Sequence, residues 1–385
     1  MRIAFIGQKG IPTKQGGIEK HVEELSTRLA SLGFNVSVYS RVTYTGDKRK
    51  SYAYRGVNII NLPSIKTKNL DAISHTFISS VHALFQDYDI IHYHGVGPAL
   101  LSFIPRIFKP SAKVIVTFHC SDKNHQKWGK FAKVMLALGE YAACIFPHET
   151  ITVSKTLEKY CLYNYGTKAK YIPNGVAVDQ DENLSALNEL GLVKNNYIVS
   201  ISRLVRHKGI HTLIKAYNQV TTNTKLVIVG DGSNTDEYVS EIKKQAEGNP
   251  NIIFAGMKSG ADLAAIFKHA YLFIQPSETE GLSIALLEAM AYGVPAIISN
   301  IEENQEAAEN LALEFANKSA EDLKRKLKYA LDNEDIIQAL ARRAQERVKR
   351  EYDWDIIARD TSDLYLELTA EADLVLTEAK FWCNK

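Results

Sequence analysis

Short apolar runs alternate with amphipathic stretches along the first 175 residues. Ile3–Ile6, Val36–Tyr39, Asn58–Leu62, Asp89–His92, Val114–Phe118, Thr150–Val153 and Tyr171–Ile172 read as strands. Between the first two, Ile18, Val22, Leu25, Leu29 and Leu32 recur at steps of three and four residues. That spacing predicts a helix, closed by Gly33 as its C-terminal cap. Strands that alternate with helices predict a parallel, doubly wound sheet with both faces covered.

A polar stretch, Asp179 to Asn183, and a weakly helical segment ending near Gly191 interrupt the pattern after Pro173-Asn174-Gly175, and the pattern then restarts. Strands are predicted at Tyr197–Ser202, Leu226–Gly230, Ile252–Ala255, Tyr271–Ile274 and Pro295–Ser299, with helices at Ile210–Tyr217, Glu237–Gln245, Asp262–His269 and Ser283–Tyr292. Charged helices follow at Lys324–Leu331 and Ile336–Glu351, then a last helix from Trp354 to about Ala379. The expected organisation is an α/β fold of two Rossmann-like domains, 1–175 and 196–352, joined by a linker at 176–195. The helix in 353–385 is expected to pack back on the first domain. Two such domains in tandem would face each other across a cleft, and ligands of open α/β sheets sit beyond the carboxyl ends of the strands.

The 385 residues fit two ordinary domains, and 45% apolar with 23% charged residues is a soluble, core-forming balance. Lys and Arg number 46 against 44 Asp and Glu, a net charge of +2 that argues against a general nucleic-acid binder. Cys120, Cys144, Cys161 and Cys383 contain no Cys-x-x-Cys pair, so free thiols in a reducing cytoplasm fit better than disulfides or structural zinc. The apolar run Arg2–Gly7 is too short for a signal peptide, and no run approaches the roughly 20 apolar residues of a membrane span.

Candidate chemistry concentrates in Pro276-Ser277-Glu278-Thr279-Glu280-Gly281-Leu282-Ser283, which runs into the helix carrying Glu288 and ending at Gly293. Backbone N–H groups of Gly281, Leu282 and Ser283 at a helix start offer an anion site for a diphosphate. If both were helical, Glu280 and Glu288 would lie about 12 Å apart at about 1.5 Å per residue. Glycosidase carboxylates sit about 5 to 9.5 Å apart, so the spacing suits the two ends of a longer ligand. After the strand at Tyr197–Ser202, Arg203 and Lys208 could place two cations on one diphosphate. Gly16-Gly17 at the start of the first helix offers another close-approach anion site. The chain has neither the Gly-x-Gly-x-x-Gly dinucleotide fingerprint nor a Walker lysine motif.

These strings resemble the GT-B retaining glycosyltransferases of glycosyltransferase family 4, the type found in bacterial polysaccharide and glycoconjugate biosynthesis. The resemblance lies in the Glu-x7-Glu motif leading into Leu287-Glu288-Ala289-Met290-Ala291-Tyr292-Gly293-Val294-Pro295, and in Arg-Leu-x-x-x-Lys-Gly at 203–209. It implies that the first domain takes the acceptor and the second a nucleotide sugar. Glu288 then binds the donor ribose, Glu280 the transferred sugar, and Arg203 and Lys208 the diphosphate. The family's strand-end histidine, facing donor sugar and acceptor, falls on His119, although Cys120-Ser121 depart from the commoner His-Gly context.

The implied function is retaining transfer of a sugar from a UDP-, GDP- or dTDP-linked donor to a glycan or lipid-linked acceptor. A non-catalytic nucleotide-sugar or glycan-binding protein and a GT-B sugar-nucleotide epimerase are the alternatives. No cofactor, metal or nucleic acid is expected. His92 and His94 have metal-like spacing but no third ligand follows them, and Asp353-Trp354-Asp355 sits where Asp caps a helix. Lys127–Leu136 mixes lysines with Trp128 and Phe131, which fits either a solvated amphipathic helix or a peripheral contact with an anionic membrane. The expected location is the cytoplasm, including the inner face of the cell membrane.

Overall fold

The computed structural model describes the chain except residues 15, 68–69, 122–129, 179–183, 233–234 and 384–385, and except the side chains of 130–133 and 371–383. The chain forms two compact units. Met1–Asn174 joins Trp354–Lys385 in unit 1, and Gly175–Asp353 forms unit 2.

Unit 1 holds strands β1 (Arg2–Ile6), β2 (Asn35–Arg41), β3 (Ser51–Tyr54), β4 (Val57–Leu62), β5 (Ile90–His94), β6 (Lys113–Phe118), β7 (Glu149–Thr152) and β8 (Lys170–Tyr171). They form one sheet in the order β3-β4-β2-β1-β5-β6-β7-β8, parallel except for β3 against β4. The apolar runs are strands because both faces are covered: Ile3 to Ile6, Ile90, Ile91 and Val114 to Val116 have no solvent exposure. The edge hairpin β3–β4, by contrast, buries little of β3, so its sequence carries no apolar run.

The helices of this unit begin with α1 (Gly17–Ser31), α2 (Val42–Thr45), α3 (Asp71–Leu84) and α4 (Val96–Ala99). They continue with α5 (Phe103–Phe108), α6 (Lys130–Ile145) and α7 (Lys155–Tyr165). In α1 the apolar stripe faces the core, with Val22, Leu25 and Leu29 buried. Its last carbonyls are closed by Gly33 N–H to Ala30 O at 3.0 Å and Phe34 N–H to Leu29 O at 3.1 Å, the paired bonds of a Schellman turn.

Unit 2 starts with α8 (Ser185–Glu189), so residues expected as linker belong to this body, where α8 packs on α11 (Gly260–Lys268). Between them lie β9 (Tyr197–Ile201), α9 (Ile210–Tyr217), β10 (Lys225–Val229), α10 (Asp236–Ala246) and β11 (Ile252–Gly256). β12 (Leu272–Gln275), α12 (Ile284–Ala291), β13 (Ala296–Ser299), α13 (Glu302–Ala308) and β14 (Leu313–Phe315) follow, then α14 (Ala320–Asp332) and α15 (Glu334–Glu351). The sheet order is β11-β10-β9-β12-β13-β14, all parallel. Its core packs Ile198, Leu213, Ile228, Ile274, Ile297 and Phe315.

The chain then returns to unit 1 with α16 (Trp354–Cys383). Trp354 and Tyr365 are buried, and Arg28 Nε on α1 donates to Asp355 Oδ1 at 2.7 Å. Asp355 is therefore engaged with an arginine. No helix among the described residues is long and apolar enough to cross a membrane.

Each sheet has one topological switch point. β1 lies between β2 and β5, and β9 between β10 and β12. At such points successive connections leave the sheet on opposite faces, and the loops beyond the strand ends part to leave a crevice.

Candidate functional site

In unit 2 the loops after β9 and β12 flank the switch point and are fastened together. The chain leaves β9 through Ser202 to Val205, makes a short 3₁₀ turn at Arg206–Lys208 and enters α9 through Gly209. Gly209 has φ +68°, and a Cβ there would lie 1.9 Å from the carbonyl oxygen of Pro276, so only glycine lets the two loops touch. Glu278 N–H donates to His207 O at 2.7 Å. Lys208 Nζ then donates to Glu280 Oε1 at 2.5 Å, and Gln275 Nε2 donates to the same oxygen at 2.7 Å. The ion pair is 15% and 9% exposed and spans 72 residues of sequence.

Glu280 sits in the irregular loop after β12, so the helical 12 Å spacing to Glu288 does not apply. The helix itself begins one residue later than expected. Ser283 is its cap: the Ser283 Oγ accepts from Leu286 N–H at 3.3 Å, and Ser283 O accepts from Leu287 N–H at 3.2 Å. The cap therefore uses the N–H groups of Leu286 and Leu287 in the first turn. Gly281, Leu282 and Ser283 are buried, and Glu288 on α12 is 8% exposed. Arg203 is exposed on the β9 loop.

Glu303 at the start of α13 is a further acid of this neighbourhood. Burial, then the negative charges of Glu280, Glu302 and Glu306, push its carboxyl up to about 7. Nothing local in the sequence marks it, because its neighbour Glu280 comes from another loop. Lys318 Nζ, 3.3 Å from Glu278 Oε2, adds a cation on the same side of the β12 loop.

In unit 1, Gly16 precedes α1 with φ 109°, and Gly17 is the first helical residue. The expected open anion site differs in detail. Glu19 of the first turn folds back, accepting from Lys9 N–H at 3.1 Å, and a Cβ on Gly16 would meet its Oε2 at 2.0 Å. A carboxylate thus already serves this helix start.

His119 follows β6 and is 8% exposed. Its Nε2 lies 3.3 Å from His94 Nδ1, and its ring meets that of His21 edge-on at 4.8 Å. His21 Nδ1 pairs with Asn174 Oδ1 at 2.9 Å, and the His21 ring lies 5.4 Å from Trp354. Beneath them, His92 stacks on His94 at 4.3 Å and pairs with Tyr365 OH at 2.6 Å and Thr117 Oγ1 at 2.7 Å. Burial lowers His21 to about 4 and holds His92, His94 and His119 well below the usual histidine range, so these rings are neutral at pH 7.

Folding gathers a different set from the His92 and His94 pair considered in the sequence, with only His94 in common. His21, His94 and His119 bring one ring nitrogen each within 4.8 Å, an arrangement able to hold a metal ion. His92 is excluded from it by its two hydrogen bonds. The segment after His119 is anchored by Glu140, which is fully buried and accepts from Ser121 Oγ, Tyr160 OH and Tyr165 OH at 2.7, 2.8 and 2.7 Å. Of the Lys127–Leu136 stretch, the part up to Lys133 lies outside the described side chains.

Two family models match the chain, one in each half. Residues 15–180 match the profile of Glycosyltransferase Family 4, and residues 186–349 that of Glycosyl transferases group 1. An uncharacterized glycosyltransferase of Methanocaldococcus jannaschii is 25% identical over 95% of this chain and 98% of its own length. The alpha-monoglucosyldiacylglycerol synthase of Streptococcus pneumoniae is 25% identical over 77% of this chain and 70% of its own. The structure of Anabaena HepE in complex with UDP and glucose superposes with a TM-score of 0.78 at 18% identity, covering 95% of this chain and 100% of HepE.

Proposed function

We propose that this chain, a glycosyltransferase of the GT-B type, transfers a sugar from a nucleoside-diphosphate donor to a glycan or lipid-linked hydroxyl with retention of anomeric configuration. The observation that carries the donor assignment is the convergence of the β9 and β12 loops on Lys208, Glu280 and the start of α12. Cations and helix N–H groups beside a carboxylate suit a ligand with a diphosphate at one end of its contacts and hydroxyls at the other.

In this reading Lys208, whose ammonium has three donors, gives one to Glu280 and the others to the diphosphate. Arg203 supplies a second cation, and Gly281, Leu282 and Ser283 supply backbone N–H groups. Lys208 and Gln275 both occupy Glu280 Oε1, which fixes the carboxylate and directs Oε2 to sugar hydroxyls. Glu288 takes the ribose. Gly16 and Gly17 admit donor or acceptor close to the backbone. His119, a neutral imidazole, exchanges a hydrogen bond with the reacting sugar without adding charge.

The acceptor O–H attacks the anomeric carbon on the face from which the phosphate departs. The carbon–phosphate oxygen bond breaks, and the acceptor proton passes to the leaving phosphate oxygen. The products are the glycoside and the nucleoside diphosphate. The cations offset the charge growing on that phosphate, so no metal is required.

The family resemblance supports retention, and the UDP seen with HepE supports a uridine nucleotide as the first donor to try. The diacylglycerol-linked product named for the pneumococcal relative supports a lipid acceptor. The free thiols of Cys120, Cys144 and Cys161 support a cytoplasmic site of action. A panel of nucleotide sugars and acceptors, read by nucleotide release and by NMR of the product's anomeric proton, tests the reading. An inverted product would overturn retention, and conversion of the donor to its epimer with no glycoside formed would favour an epimerase.

A further inference from the structure

Three histidines of unit 1 meet from three separate elements. His21 lies on α1, His94 ends β5, and His119 follows β6, whose Thr117 stands opposite His94 in the sheet. They are 3%, 1% and 8% exposed, so the cluster is buried and opens only toward His119. One ring nitrogen of each lies within 4.8 Å of the other two.

The hydrogen bonds around the cluster leave it poised to accept a cation. His21 Nδ1 meets Asn174 Oδ1 at 2.9 Å, and an amide oxygen only accepts, so Nδ1 carries the ring proton. His21 Nε2 therefore presents a lone pair, and it is buried with no hydrogen-bond partner, whereas the great majority of buried polar atoms have one. A carbonyl oxygen behind the far nitrogen is also how a metal-bound histidine is held in tautomer and orientation. His94 Nδ1 and His119 Nε2 are 3.3 Å apart. Two nitrogens bound to one tetrahedral zinc, each about 2.0–2.1 Å from it, stand about 3.3–3.4 Å from each other. Two of the three ligands are thus already at their coordination spacing, and the third is within a small rotation of it.

The donor set selects the ion. Three imidazoles suit zinc, copper or nickel, while magnesium and calcium demand oxygen ligands. Binding replaces the His94–His119 hydrogen bond, each ring keeping its one proton on its other nitrogen. A tetrahedral ion with three protein ligands has a fourth position for water.

We infer that His21, His94 and His119 form an inhibitory site for a transition-metal dication of the zinc class, which takes the His119 ring nitrogen away from the reacting sugar. The inhibition rests on the role proposed above for His119; the binding does not.

The full chain, stripped with EDTA and titrated calorimetrically with zinc chloride, tests the inference. Wild type is expected to bind one equivalent, and His21→Gln and His94→Gln to bind at least tenfold more weakly. Asn174→Ala leaves all three ligands in place and is expected to bind about 10–100-fold more weakly, through the lost orientation of His21. Cobalt(II), which reports its ligands by visible absorption, is expected to show a tetrahedral nitrogen environment in the wild type. Sugar transfer should fall over the same range of zinc that fills the site and return on adding EDTA. Magnesium at equal concentration should neither displace the zinc nor inhibit.

No binding by the wild type, or full affinity in both glutamine variants, would overturn the inference. A thiolate band in the cobalt spectrum would place the ion on a cysteine and sink it equally. Zinc bound at the three histidines with transfer unchanged would refute the inhibition and the role given to His119. Binding is read without turnover, so it succeeds or fails whether or not the chain transfers sugar. The two readings therefore fail separately.

Discussion

Replacing Lys208 by methionine removes the ammonium from Glu280 while keeping most of the stem's volume. Breaking a buried ion pair by deleting one partner costs about 3–5 kcal/mol, because the remaining charge is left without its counterpart. Here the side chains are 15% and 9% exposed, and Gln275 still donates to the carboxylate, so a loss of about 2–3 kcal/mol is expected. For a unit of the size of Gly175–Asp353, 353 − 174 = 179 residues, that is a melting shift of about 5–10 °C.

Lys208→Met should be paired with Glu280→Gln and the double variant. The double variant removes both charges, so it should recover most of the loss, with a coupling of at least about 1.5 kcal/mol. Tryptophan fluorescence would miss the event, since the sequence from Gly175 to Asp353 holds no tryptophan. Hydrogen exchange in urea, read on peptides from β9–α9 and β12–α12, reports it directly. Additive single effects, within about 0.5 kcal/mol, would show that the pair does not hold the two loops together.

Three further outcomes are expected. Gly209→Ala combines a left-handed backbone with a Cβ 1.9 Å from Pro276 O. It should cost about 2–5 kcal/mol from the two sources and lower donor affinity, both measurable by melting with and without UDP; an unchanged melt would show that the loops do not need this contact.

One buried group in each unit should contribute a pH dependence of opposite sign. Glu303, raised to about 7, gives unit 2 stability that is full below its ordinary value of 4.5 and lost as pH rises through about 7. Glu303→Gln should flatten that slope. His21, lowered to about 4, gives unit 1 stability that is present above its ordinary value of 6.5 and lost as pH falls through about 4, which Trp354 fluorescence should follow.

His119→Ala should lower kcat with little change in nucleotide affinity, and dialysis against EDTA should leave wild-type turnover intact. Activity lost to EDTA and restored by zinc would instead assign His21, His94 and His119 as an activating metal site.

Local pattern determined a large part of this protein. β1, β9 and β12 announce themselves as apolar runs because parallel strands are covered on both faces, and α1 does so because one stripe of it is. The strings around Arg203–Gly209 and Glu280–Gly293 are legible because each occupies one loop and the helix that follows. The strand β3 escaped notice, since an edge strand buries too little to need an apolar run.

Relations between loops were decided by tertiary structure alone. That Lys208 pairs with Glu280 follows from β9 and β12 being neighbours at a switch point, although 72 residues separate the two side chains. That Glu303 titrates near neutrality, and that His21 and His94 join His119, likewise follow from strand order and burial. Periodicity records which face of an element is apolar. It holds no information on which strand ends are brought side by side, and in this fold the candidate chemistry lies at those ends.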